Sequence, residues 1–127
     1  MKTITLIFIT AILFTFSNCN DENPAASNEK KVKYQITGNF TGKLLIVYTD
    51  VSGSNKTLTD IPAPWSQEVT YPASTFTVGI GAQASVTGSP GQTATLKIFV
   101  DGKEVKSSTA TTGSLGEIIL QTIAYSF

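Results

Sequence analysis

The sequence predicts an all-β domain: an antiparallel β-sandwich of immunoglobulin-like architecture, with seven or eight short strands over residues 32–127. Three observations carry this. Apolar residues recur at every second position through most of the region, the period of a strand with one face buried and one wet. Glycine, proline and Asx pairs punctuate it at short intervals, and no stretch beyond residue 31 repeats at the helical 3.6. Its 127 − 31 = 96 residues are enough for one small domain and too few for two. A small closed barrel is the alternative.

The first element, 1–18, reads as an export signal. Lys2 supplies the positive start, Ile4 to Phe16 form an apolar run interrupted only by threonines, and Phe16-Ser17-Asn18-Cys19 follows. The run is shorter than the roughly 20 residues a helix needs to cross a bilayer. Cys19, the one cysteine, resembles the acylated cysteine of Bacteroidetes-type lipoprotein signals, with Phe16 where leucine is usual and Asn18 where glycine or alanine is. That resemblance implies cleavage before Cys19, a diacylglycerol on its thiol and acylation of the new amine. Two or more chains hold a protein at a bilayer where one would not. An ordinary secretory signal with a stray cysteine is the plainer reading.

The second element, 19–31, is expected to be a lipid-anchored flexible tether, since Asn20 to Lys31 lacks apolar periodicity. Asp21-Glu22 resembles the short acidic signal that sends such lipoproteins to the outer face of the outer membrane. The chain is therefore expected in a bacterial cell envelope, lipid-anchored, at the periplasmic or the surface-exposed face of the outer membrane.

The strands follow. Val32, Tyr34, Ile36, Gly38 and Phe40 alternate with polar residues, as do Phe76, Val78, Ile80, Ala82, Ala84 and Val86. Leu44-Leu45-Ile46-Val47-Tyr48 and Ile118-Ile119-Leu120 show no wet face, which predicts central strands covered at least partly on both sides. Leu96, Ile98 and Val100 lead into Asp101-Gly102 and then Lys103-Glu104-Val105. An Asp-Gly pair between extended runs is a strong hairpin signal, because both residues tolerate positive φ. Gly38 to Gly42 and Ser52-Gly53-Ser54-Asn55 mark further turns, and Pro62-Ala63-Pro64 and Ser89-Pro90-Gly91 belong to loops or edges. The expected core is Tyr34, Ile36, Phe40, Ile46, Trp65, Val78, Ile80, Leu96, Ile98, Ile119 and Ile123.

Composition excludes several function classes. There is no histidine, which removes Ser-His-Asp and Cys-His relays and the commonest zinc ligand. A lipidated Cys19 is no catalytic thiol. Beyond Cys19 eight lysines face nine acidic residues, a net of 8 − 9 = −1, and arginine is absent, so nothing points to nucleic acid. Asp50, Asp60, Glu68, Asp101, Glu104 and Glu117 show no spacing that sets two across a cleft. Asp50, Ser52 and Asp60 around one loop offer a thin calcium ligand set, without the dense Asp/Asn/Gly pattern such loops have. No enzyme, cofactor or metal is expected.

Four segments carry a family resemblance: Val32-Lys33-Tyr34-Gln35-Ile36-Thr37-Gly38, Ile46-Val47-Tyr48-Thr49-Asp50, Pro64-Trp65-Ser66 and Lys97-Ile98-Phe99-Val100-Asp101-Gly102-Lys103. In order and approximate spacing they resemble the MmpS (mycobacterial membrane protein S) family, over nearly the whole folded domain. The resemblance implies a β-sandwich periplasmic domain that assists large RND-type (MmpL-like) exporters. Leu96 stands where the family tends to have a cysteine, and a lipid anchor replaces its membrane helix.

Three roles are open at this stage. The first is a non-catalytic envelope lipoprotein that binds a protein or helps assemble a complex. The second is an exporter's accessory subunit. The third is a glycan- or ligand-binding module, for which Trp65 and Tyr48 are the candidate contact residues; core placement is the favoured reading for Trp65, and Tyr48 allows both readings.

Overall fold

The computed structural model describes residues 28–127; the predicted signal, Cys19 and the tether as far as residue 27 lie outside them. Eight strands fold in order: β1 (Lys30–Gly38), β2 (Lys43–Thr49), β3 (Asn55–Pro62), β4 (Trp65–Tyr71), β5 (Thr77–Val86), β6 (Thr93–Val100), β7 (Lys103–Thr111) and β8 (Ile119–Ser126). They form two four-stranded antiparallel sheets, β4-β1-β6-β7 and β3-β2-β5-β8. The sandwich is the expected architecture. Its strand order is its own: β1 lies between β4 and β6, whereas immunoglobulin domains pair their first two strands in one sheet.

Alternation places the core between the sheets. Val32, Tyr34 and Ile36 from β1, Val78, Ile80 and Ala82 from β5, and Ala94, Leu96 and Ile98 from β6 point inward and are buried. Each buried Ile, Leu or Val contributes about 1.5–3 kcal/mol relative to exposure. Of the expected core, Tyr34, Ile36, Phe40, Ile46, Val78, Ile80, Leu96 and Ile98 are buried, while Trp65 and Ile123 pack half-buried against its rim. Phe76, ahead of β5, is 82% exposed.

Ile119 is a correction: it faces solvent, and Ile118 and Leu120 are buried instead. Register explains it. Ile80 pairs with Ile123 but Ala82 pairs with Leu120, so Gln121 and Thr122 together oppose Gly81. This bulge reverses the strand's phase. Inward residues are 118 and 120 before it, 123 and 125 after it. The run at 44–48 is also one-sided: Leu44, Ile46 and Tyr48 are buried, but Leu45 and Val47 lie only half-buried on the outer face.

A polar staple joins the sheets inside this core. The hydroxyls of Tyr34 on β1 and Tyr71 on β4 lie 2.6 Å apart, and Tyr71 donates to the carbonyl of Thr49 on β2. Thr49 in turn accepts at its Oγ1 from the Gly79 amide of β5 at 3.0 Å. Buried hydroxyls are thereby satisfied without water.

The connections alternate between two ends. Turns 50–54, 72–76 and 101–102 share one end with the start of β1 and with Phe127; loops 39–42, 63–64, 87–92 and 112–118 lie at the other. The Asp101-Gly102 hairpin forms as expected, with φ of 49° and 81°, the double left-handed geometry that suits a two-residue turn between twisted strands.

Candidate functional site: an uncharged groove on one sheet face

The two outer faces of the sandwich differ in chemistry. Over β4-β1-β6-β7, Lys33 lies 4.6 Å above the Phe99 ring, Lys97 pairs with Glu104 at 3.4 Å, and Thr95 and Thr109 share a hydrogen bond across the strands. This is a charged, solvated surface, and its partly exposed ion pair adds at most ~1 kcal/mol. A shallow hollow there, between Lys31, Lys33, Glu68 and Phe99, has the same mixed charge.

The other face carries no charge where it is hollowed. A groove of about 540 Å³ runs along β2, β5 and β8, walled by Leu45, Val47 and Ile119 and edged by Thr49, Asn55, Gln83, Gln121 and Thr122. Its floor is Gly79 and Gly81. A Cβ on Gly81 would lie 2.5 Å from Thr122 Oγ1, so the bulge and the missing side chain fit each other. Ile119, 66% exposed, stands at the rim because the bulge turned it outward. The groove therefore offers aliphatic contact and neutral amide and hydroxyl partners, with no group that titrates near neutrality.

The sequence candidates fall elsewhere. Cys19 lies outside the described residues. Tyr48, open to core and contact readings in the sequence, belongs to the core: it is 4% exposed, with its ring 5.3 Å from Tyr34 and 5.9 Å from Trp65. Trp65 is half-buried at the start of an edge strand, its ring tilted at 49° against Tyr48. Among the described residues no aromatic ring lines the groove.

The loop carboxylates also separate. Asp50 accepts from the amides of Ser52 and Ser54 and from the Ser52 hydroxyl, and these bonds hold its carboxyl below the usual range. Asp60 sits at the opposite end of β3 with φ 58°, accepting from Ser85 at 2.9 Å. The three-residue calcium set is thus taken apart, and among the described residues no group of three acidic or metal-ligating side chains converges. The groove itself left two traces in the sequence: apolar runs without a wet face at 44–48 and 118–120, and glycines at 79 and 81.

A family model described as Mycobacterium membrane protein matches residues 2–115, which takes in the apolar N-terminal run and seven of the eight strands. No curated protein matches the chain.

Proposed function

We infer the role from one fixed point: the chain belongs to the Mycobacterium membrane protein family. We propose a non-catalytic envelope lipoprotein, anchored through acyl chains on Cys19, whose sandwich serves a membrane complex as a binding or assembly domain. The family resemblance supports an RND-type exporter as that complex, and the lipoprotein-type signal with Asp21-Glu22 supports placement at the outer membrane. Within the sandwich, the uncharged groove over β2, β5 and β8 is the proposed contact surface. The observation that carries this is the asymmetry of the two faces. One face is charged, with Lys97 and Glu104 paired and Lys33 over Phe99, and the other presents Leu45, Val47 and Ile119 around a glycine floor.

Aliphatic walls without charge fit a protein surface, where a charged intruder is costly. Introducing Glu at both Leu45 and Ile119 should leave the melting curve close to wild type, because neither side chain is in the core, and should abolish co-purification with the membrane complex. Cys19→Ala should separately release the chain from the membrane. Retained co-purification in the groove variant refutes the groove; a Cys19→Ala chain that still carries lipid refutes the anchor.

A further inference from the structure

The end of the sandwich where β1 begins carries the two exposed phenylalanines among the described residues, whereas the exposed apolar residues of the opposite end are the aliphatic Val86 and Leu115. Phe76 is 82% exposed, Val51 58% and Phe127 39%, and all three belong to this end. They are held rather than loose. The Phe127 amide donates to the Phe76 carbonyl at 2.9 Å, and Tyr125 meets the Phe127 ring edge-on at 5.3 Å. Lys30 donates to the Thr75 carbonyl while its ammonium lies 4.3 Å from the centre of the Phe127 ring. The opposite end is built differently: Gln92 and Thr112 tie its loops together with side-chain hydrogen bonds.

Charges at the apolar end balance, Lys30, Lys31 and Lys103 against Glu29, Asp50 and Asp101. An anionic or cationic ligand has no net field to follow there. What distinguishes this end is where the chain enters it. Lys30 follows Cys19 by 30 − 19 = 11 residues, which span at most about 38 Å in any conformation. An acylated Cys19 thus tethers the sandwich through this end, the one nearest the anchor along the chain.

We propose that this end rests on the lipid surface, with Phe76, Val51 and Phe127 entering the interface and Lys30 beside them at headgroup level. Aromatic and aliphatic side chains at the acyl boundary with a snorkelling lysine are the usual chemistry of such contacts. The inference depends on the anchor reading above. With this end down, the loops at 87–92 and 112–118 point away from the membrane and the groove stands upright on the sandwich's flank. Because the end is neutral, seating should not require anionic lipid.

The test uses the full wild-type chain with its native lipid, reconstituted in vesicles of phosphatidylethanolamine and phosphatidylglycerol that contain a lipid bearing a photoactivatable diazirine at the upper acyl chain. After illumination, peptides covering 72–77 and 122–127 should carry label several-fold above those covering 87–92 and 112–118. Phosphatidylcholine vesicles should give the same ratio. Flotation with the vesicles but even or absent labelling overturns the seating and leaves the anchor intact. Failure to float overturns the anchor reading and the seating together. Phe76→Ser, which removes a side chain with little packing, should cut label at 72–77 several-fold with flotation unchanged.

Discussion

Tyr34 and Tyr71 share a 2.6 Å hydrogen bond in the space between the sheets, and Tyr71 donates a hydrogen bond to the Thr49 carbonyl. Three strands, β1, β4 and β2, meet at this one point. The two hydroxyls are not equivalent, because Tyr34 reaches Thr49 only at 3.4 Å. Tyr71→Phe leaves the Tyr34 hydroxyl and the Thr49 carbonyl only their long 3.4 Å contact, whereas Tyr34→Phe leaves the Tyr71–Thr49 bond in place. Denaturant unfolding should show Tyr71→Phe costing about 2–3 kcal/mol and Tyr34→Phe about 1 kcal/mol. The reverse order would mean the short bond contributes nothing.

The same pair makes stability fall in alkali. Burial raises both phenols, the hydrogen bond to Tyr71 raising Tyr34 further, and Tyr71 is pushed up from 10.0 to about 12. Above pH 10 the unfolded chain releases phenolic protons that the folded chain keeps, so the unfolded state binds fewer protons and ΔG of unfolding declines as pH rises. Melting temperature should be indifferent to these groups below pH 10 and should drop between about pH 10 and 12. Tyr71→Phe should flatten that slope; an unchanged slope would assign the alkaline loss to other groups.

The phase reversal on β8 has a sharp mutational signature. Leu120→Ala should cost about 2–5 kcal/mol, because it empties a buried site. Ile119→Ala, one residue away, should stay within ~0.5 kcal/mol. Strict alternation without the bulge predicts the opposite, and thermal melts of the two variants decide between them.

At the β6–β7 hairpin, Gly102 has φ 81° with nothing within 4 Å of where a Cβ would stand. A substitution there meets backbone strain alone. Gly102→Val should cost about 1–2 kcal/mol, or roughly 5–15 °C in melting temperature, and Gly102→Asn distinctly less, since Asn tolerates this conformation. Equal losses for the two would place the cost in packing rather than in φ.

The legible part of this fold was the part governed by period two and by turn chemistry. Val32 to Ile36, Val78 to Ala82 and Leu96 to Ile98 alternate without interruption, and Asp101-Gly102 marks its own turn; the sandwich and most of its core follow from them. Ile119 was misplaced because a bulge opposite Gly81 is a pairing event between distant segments, with no local signal at 119 itself. Tyr48, Tyr71 and Trp65 look alike as isolated aromatics, and only sheet position separates two core rings from a half-buried one. The groove was present as an anomaly: Leu45 and Val47 were apolar where a one-faced strand should be polar, and a covering layer was the simplest expectation. The structure leaves that face open instead, with Gly79 and Gly81 beneath it.

Lys30 and Phe127 stand side by side, one opening the first strand and the other following the last. A reporter domain appended after Phe127 would therefore crowd the strand's entry, while one inserted at Ser89–Gly91 would hang free at the far side. The same closeness means that a short linker could splice the two ends and the chain could be reopened at 89–91. Such a rewired protein, if it keeps its shape, would offer a free start at the loops where the natural chain has none.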